Sequence, residues 1–136
     1  MRLIGLMTCL MWAGCAAHSP SQTDQLTLAD RVTTVDLYFP KSSGAAPLVI
    51  VAHGFARSRH RMVGWGEALS ARGYVVAIPD LPYLTAHHDN VQGIVDLAIH
   101  LTGQQNSPID PDRLVLVGFS AGGLVTARAA QEIHGA

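Results

Sequence analysis

Three runs of this 136-residue chain are continuously apolar and rich in β-branched residues: LVIVAH at 48–53, YVVAIPD at 74–80 and RLVLVGF at 113–119. A strand with one face in water alternates polar and apolar side chains. A strand that does not alternate is covered on both faces, which in practice means a parallel sheet with helices above and below it. The gaps between the runs fit that arrangement. Met62, Trp65, Ala68 and Leu69 recur at helical spacing ahead of Arg72 and Gly73, and Gly73 is placed as a C-terminal stop. Val91, Ile94, Val95, Ala98 and Leu101 or Thr102 form a second apolar stripe, with Asp89 as predicted cap, Gln92 three residues on as in a capping box, and Gly103 at the end. The stretch AGGLVTARAAQEIH after Ser120 is small and Ala-rich, suited to a helix packed closely on a sheet. Upstream, Val35, Leu37 and Phe39 alternate within TTVDLYF, a half-buried strand, and Pro40 with KSSGAAP makes the loop that follows.

Alternating strands and helices predict an α/β layered fold, a mostly parallel sheet flanked by helices with right-handed crossovers. Ligands of such sheets bind beyond the carboxyl ends of the strands. His53-Gly54-Phe55, Asp80 and Ser120 each follow one of the three apolar runs, so they are expected on a single edge.

Gly118-Phe119-Ser120-Ala121-Gly122 fits G-x-S-x-G, a strand-to-helix turn too tight for side chains two residues either side of its serine. The pattern marks Ser120 as a candidate nucleophile with Gly118 and Gly122 as its elbow glycines. The plainer reading is a glycine-rich turn with an incidental serine. Acyl transfer also needs N–H groups aimed at a developing oxyanion, each donor being worth about 10²–10³ in rate. The amides of Phe55 and Ala121 are the natural pair, with Gly54 and His53 supporting the loop; the His53 side chain reads as structural.

With these residues in view, PLVIVAHGF, RGYVVAIPDLP and DPDRLVLVGFSAGG resemble the N-terminal half of an α/β-hydrolase, nearest the chlorophyllase, polyester hydrolase and dienelactone hydrolase group. The resemblance implies an eight-stranded sheet, Ser120 as nucleophile, Phe55 and Ala121 as oxyanion-hole residues, and Asp80 as a loop support, not the catalytic acid. It implies hydrolysis of small-molecule or polymer carboxylic esters, with no cofactor and no metal. In that superfamily an Asp or Glu and then a His follow the serine in chain order. After Ser120 the chain offers only Glu132 and His134, roughly 18 to 21 Å along the same helix. The acid and base of the triad are therefore absent from these 136 residues. The expectation is a fragment or prematurely ended product with little turnover, whose strand at 113–119 is an open, aggregation-prone edge. Two alternatives stand beside it: a non-catalytic vestigial or binding lipoprotein, and a dienelactone, thioester or peptide hydrolase of the same fold.

The remaining features are less specific. His87 and His88 fall in a polar loop and lack a third ligand at metal-binding spacing, so they read as solvated. His100 and His60 read as surface residues. RSRHR at 57–61 either steers anionic substrates or is a solvated helix entrance. A net charge of −1 with scattered basic residues gives no footprint for nucleic acid. Residues 1–15, MRLIGLMTCLMWAGC, read as a signal peptide. WAGC resembles a bacterial lipoprotein processing site in which Cys15 is lipidated, although Trp12 stands where an aliphatic residue is usual. The alternative is a plain signal cut near Ala16 or Ala17. Cys9 and Cys15 are the only cysteines, so the mature chain has no pair for an internal disulfide. The expected organisation is a leader over 1–15, a polar tether over 16–30 and a partial hydrolase domain over 31–136. The expected location is the bacterial cell envelope, either anchored in the membrane or periplasmic or secreted.

Overall fold

The computed structural model describes residues 19–85 and 87–135. The expected leader, with Cys9 and Cys15, lies outside the described residues. Five strands and three helices follow in order: β1 (Gln22–Leu28), β2 (Arg31–Tyr38), β3 (Ala46–Ala52), α1 (Val63–Ser70), β4 (Val75–Pro79), α2 (His87–Thr102), β5 (Ile109–Gly118) and α3 (Ala121–Gly135). A 3-10 turn, Arg59–Met62, leads into α1.

The strand order is β1-β2-β4-β3-β5. β4 pairs with β3 and β3 with β5 in parallel, as the apolar runs predict. β1 with β2 and β2 with β4 are antiparallel, which corrects the expectation of a mostly parallel sheet to a mixed one. The apolar runs sit in its parallel half.

Along β3 the faces alternate. Leu48, Ile50 and Ala52 join α2 and α3 in one core, while Val49 and Val51 join Met62 and Leu69 in the other. Each fully buried Leu, Ile or Val contributes about 1.5–3 kcal/mol of transfer free energy, so burial on both faces constrains β3, and β4 beside it, strongly. α1 thus lies on one face and α2 and α3 on the other. Crossovers of one hand that run in opposite directions across a sheet place their helices on opposite faces. The carboxyl ends of β3 and β5, whose chains leave toward opposite faces, flank a crevice of the kind in which α/β sheets bind ligands.

Several local expectations are corrected. Residues 22–28 of the expected tether are a strand: Thr23, Gln25 and Thr27 face water on the sheet edge, while Leu26 and Leu28 turn inward. Its turn into β2 places Ala29 and Asp30 at φ 46° and 64°, as a two-residue hairpin of the twisted-strand type requires. Tertiary contacts hold it there, because Ala29 N–H donates to Asp96 Oδ2 at 2.8 Å and Tyr83 O–H to Ala29 O at 3.3 Å. In α1 the buried residue is Gly66, against the ring of Tyr38, which turns Trp65 outward to 49% exposure. α2 begins at His87, so Asp89 sits inside its first turn and does not cap it. Among the described residues β5 pairs with β3 alone, and Val115 on it is 45% exposed, whereas coverage on both faces was expected.

Candidate functional site

Ser120 follows β5 immediately and precedes the first residue of α3. Its φ is 54°, a left-handed conformation that L-residues with a Cβ avoid, that costs of order 1–3 kcal/mol and that persists only where the surroundings impose it. The surroundings do. A Cβ on Gly118 would lie 2.2 Å from Gly122 O, and one on Gly122 would lie 2.5 Å from both Ala52 O and His53 O. A Cβ on Gly54 would meet Ser120 Cβ at 3.3 Å. Strand, turn and helix therefore touch main chain to main chain, and only glycine permits it. Hydrogen bonds from Phe119 N–H to Ala52 O (3.0 Å), Gly122 N–H to Phe119 O (2.9 Å) and Gly123 N–H to Ser120 O (2.9 Å) close the turn. Ser120 itself is exposed.

The loop after β3 supplies the opposite wall. Ala56 is also left-handed, at φ 50°, and Arg57 N–H closes the turn on Gly54 O at 3.2 Å. His53 is buried. Leu81 N–H donates to its Nε2 at 2.9 Å, which leaves Nδ1 to carry the ring proton toward Gly54 O, also at 2.9 Å. The ring ties the end of β3 to the loop after β4. Phe55 and Ala121 line one small cleft of about 180 Å³ with His53, Tyr83, His87 and Asn90 among its other walls. Among the described residues, neither the Phe55 amide nor the Ala121 amide has a backbone acceptor.

Asp80, at the end of β4, is consumed by structure. It accepts from Arg59 N–H at 2.8 Å and from Arg59 Nη1 at 2.6 Å, while Arg59 Nε pairs with Asp36 at 3.0 Å. Burial works against the Arg59 charge, but the hydrogen bonds to Asp80 and Asp36 outweigh it and hold the guanidinium above its ordinary range. This arginine straps the loop carrying Phe55 to the ends of β2 and β4.

No family model matches the chain. Over 106 residues it is 29% identical to the quorum-quenching protein AidA of Acinetobacter baumannii, a match covering 71% of this chain and 35% of that one. Among solved structures, the propionate-bound esterase Est2 of Thermogutta terrifontis superposes with a TM-score of 0.68 at 18% identity, over 78% of this chain and 43% of the esterase. Esterase Est22 gives 0.70 at 19% identity, over 84% and 39%. DcsB in complex with its substrate analogue gives 0.71 at 21% identity, over 80% and 40%. Over the matched stretches the fold is that of these two esterases and of DcsB. The chain spans about a third of the curated relative's length, 35%, and about two-fifths of the solved structures, 39–43% in the three named.

On this esterase-like fold the residues singled out in the sequence converge: His53, Gly54 and Phe55 after β3, and Gly118 to Gly122 around the turn after β5. Glu132 and His134 do not join them, lying on the last turns of α3. His87, expected in a solvated loop, is the first residue of α2 and lines the cleft. Sequence reading missed Asn90, whose Oδ1 accepts from Tyr83 N–H at 2.9 Å and whose Nδ2 donates to Tyr83 O at 2.8 Å, fixing the wall opposite Phe55. It follows the expected cap, Asp89, and an amide side chain a helical turn or two beyond Pro82-Tyr83 was the available signal. Among the described residues no cluster of three His, Cys, Asp or Glu could hold a metal, and no helix is long and apolar enough to cross a membrane.

Proposed function

We infer that this chain carries the nucleophile half of an α/β-hydrolase acting on carboxylic esters. The observation that carries the reading is the left-handed Ser120 on a turn that only Gly118 and Gly122 allow. In the proposed step Ser120 Oγ attacks the ester carbonyl carbon and the carbonyl oxygen becomes an oxyanion held by the Phe55 and Ala121 amides. Collapse of that intermediate breaks the bond to the alcohol, and water then releases the acid and restores the serine. The Oγ proton passes to a base. His53 cannot serve, with both ring nitrogens engaged, and Glu132 and His134 stand at the wrong end of α3. We assign the base and its supporting acid to positions outside the described residues. The substrate is an ester, by likeness of fold to esterases; the chlorophyllase-like group is a narrower proposal resting on PLVIVAHGF and its companion motifs alone.

Intact-mass spectrometry of the protein from its own cells, after exposure to a fluorophosphonate that marks activated serines, tests the reading. An adduct mapped to Ser120 is expected. Unlabelled Ser120 in a folded protein would overturn it in favour of a non-catalytic binding protein on the same scaffold.

A further inference from the structure

The cleft beside the turn is electrically one-sided. Arg57 lines it, and no Asp or Glu does. The neighbouring arginine, Arg59, is neutralised by Asp36 and Asp80, whereas among the described residues the Arg57 guanidinium has neither an ion-pair nor a hydrogen-bond partner. His87 lines the same cleft, and its Nδ1 is buried without a partner. A buried polar atom left unpaired loses its hydration without replacement and calls for an explanation. The other polar side chains of the wall are already engaged: His53 through both nitrogens, Asn90 with the Tyr83 backbone, and Tyr83 O–H with Ala29 O. The cleft also receives the first residues of two helices, His87 of α2 and Ala121 of α3, whose N-terminal ends favour negative charge. Asp89 in the first turn of α2 offsets part of that field but is not among the lining residues.

We propose that Arg57 and His87 form a second recognition point, for a carboxylate carried on a short acyl group, so that the substrates are half-esters of small dicarboxylic acids. The proposal rests on the ester-hydrolase reading: the scissile carbonyl sits at the Phe55 and Ala121 amides, and the free carboxylate lies further into the cleft. At about 180 Å³ the space falls below the 300–1,000 Å³ usual for drug-sized ligands, which limits the acyl group to a few carbons. In this arrangement His87 meets the carboxylate, at the end of the substrate away from the scissile carbonyl.

The test uses the full chain and two amide analogues that are not turned over, N-methylsuccinamate and N-methylbutyramide, which differ by a carboxylate in place of a methyl group. NMR titration is expected to show the succinamate binding about tenfold or more tighter, as charge-assisted hydrogen bonds to a carboxylate imply, with the His87 ring resonances moving. In Arg57→Gln and in His87→Phe that preference falls toward parity, and Arg57→Lys retains part of it. Equal binding of the two analogues, or a preference that survives both Arg57→Gln and His87→Phe, overturns the proposal. Fluorophosphonate labelling of Ser120 separates the two readings. Labelling without a carboxylate preference sinks this inference alone, and a carboxylate preference without labelling sinks the hydrolase reading while leaving the anion site.

Discussion

Two adjacent glycines on α3 are expected to respond to alanine with opposite signs. At Gly122 the new methyl would sit 2.5 Å from two carbonyl oxygens of the β3 end, those of Ala52 and His53, and 2.9 Å from Ala52 C. These are main-chain atoms of a strand buried on both faces, so no side chain can rotate away. Overpacking of this kind costs about 1–3 kcal/mol, against a helix-propensity gain of at most about 1 kcal/mol that shrinks in a first turn. The net loss is about 1.5 kcal/mol. At Gly123 the nearest atom is Gly118 O at 3.4 Å, an ordinary contact, so propensity dominates and Gly123→Ala gains about 0.5 kcal/mol. With a urea slope of about 2 kcal/mol/M, the midpoint of unfolding followed by circular dichroism drops about 0.7 M for Gly122→Ala and rises about 0.2 M for Gly123→Ala. Equal shifts in the two variants, or a Gly122→Ala midpoint within about 0.3 M of the parent, would refute the claim that main-chain contact sets the position of α3.

Tyr38→Phe removes a hydroxyl that is buried without a partner among the described residues, so the variant should be as stable as the parent or up to about 1 kcal/mol more stable in urea unfolding. Burial, then the charges of Asp36 and Glu67, raise the Tyr38 phenol above its ordinary value. The folded chain thus keeps that proton to higher pH than the unfolded one, and stability present below about pH 10 is lost above it; thermal melts of Tyr38→Phe should lack this alkaline decline. Asp110 behaves oppositely, since the hydrogen bond from Arg113 and then that from Asp112 N–H hold its carboxyl below the usual range. Its contribution is present above about pH 4 and fades as the pH falls through the lowered value; Asp110→Asn should flatten the acid limb of stability against pH, and an unchanged limb would count against the pairing. If Cys15 carries the proposed lipid, Cys15→Ser should move the protein from the membrane pellet to the soluble fraction, and retention in the pellet would exclude lipidation as the anchor.

What the sequence made legible follows from where local and global demands agree. LVIVAH and YVVAIPD have no polar face to misplace, so their strands are readable without knowing their neighbours. The elbow is readable because steric necessity puts glycine at 118 and 122. β1 was hidden because QTDQ is polar and its turn, Ala29-Asp30, lacks the Asn-Gly chemistry such turns favour; distant Asp96 and Tyr83 stabilise it instead. Trp65 was misassigned because a bulky residue looks like core, whereas the flat ring of Tyr38 needed the glycine next to it. His87 passed as solvated since nothing local reveals that α2 begins there, at the wall of a cleft.

The candidate site is assembled from loops that follow β3, β4 and β5, and its joints are long-range. His53 reaches Leu81, 28 positions on, and Phe119 closes on Ala52 only after both parallel crossovers are in place. Closing such loops costs chain entropy before any contact offsets it, which makes parallel pairing slow. A nascent or partly collapsed chain can hold the β1–β2 hairpin and its helices and still have no elbow. Reactivity at Ser120 would therefore report the last stage of folding, and a time course of its labelling during refolding would time the docking of β5 onto β3.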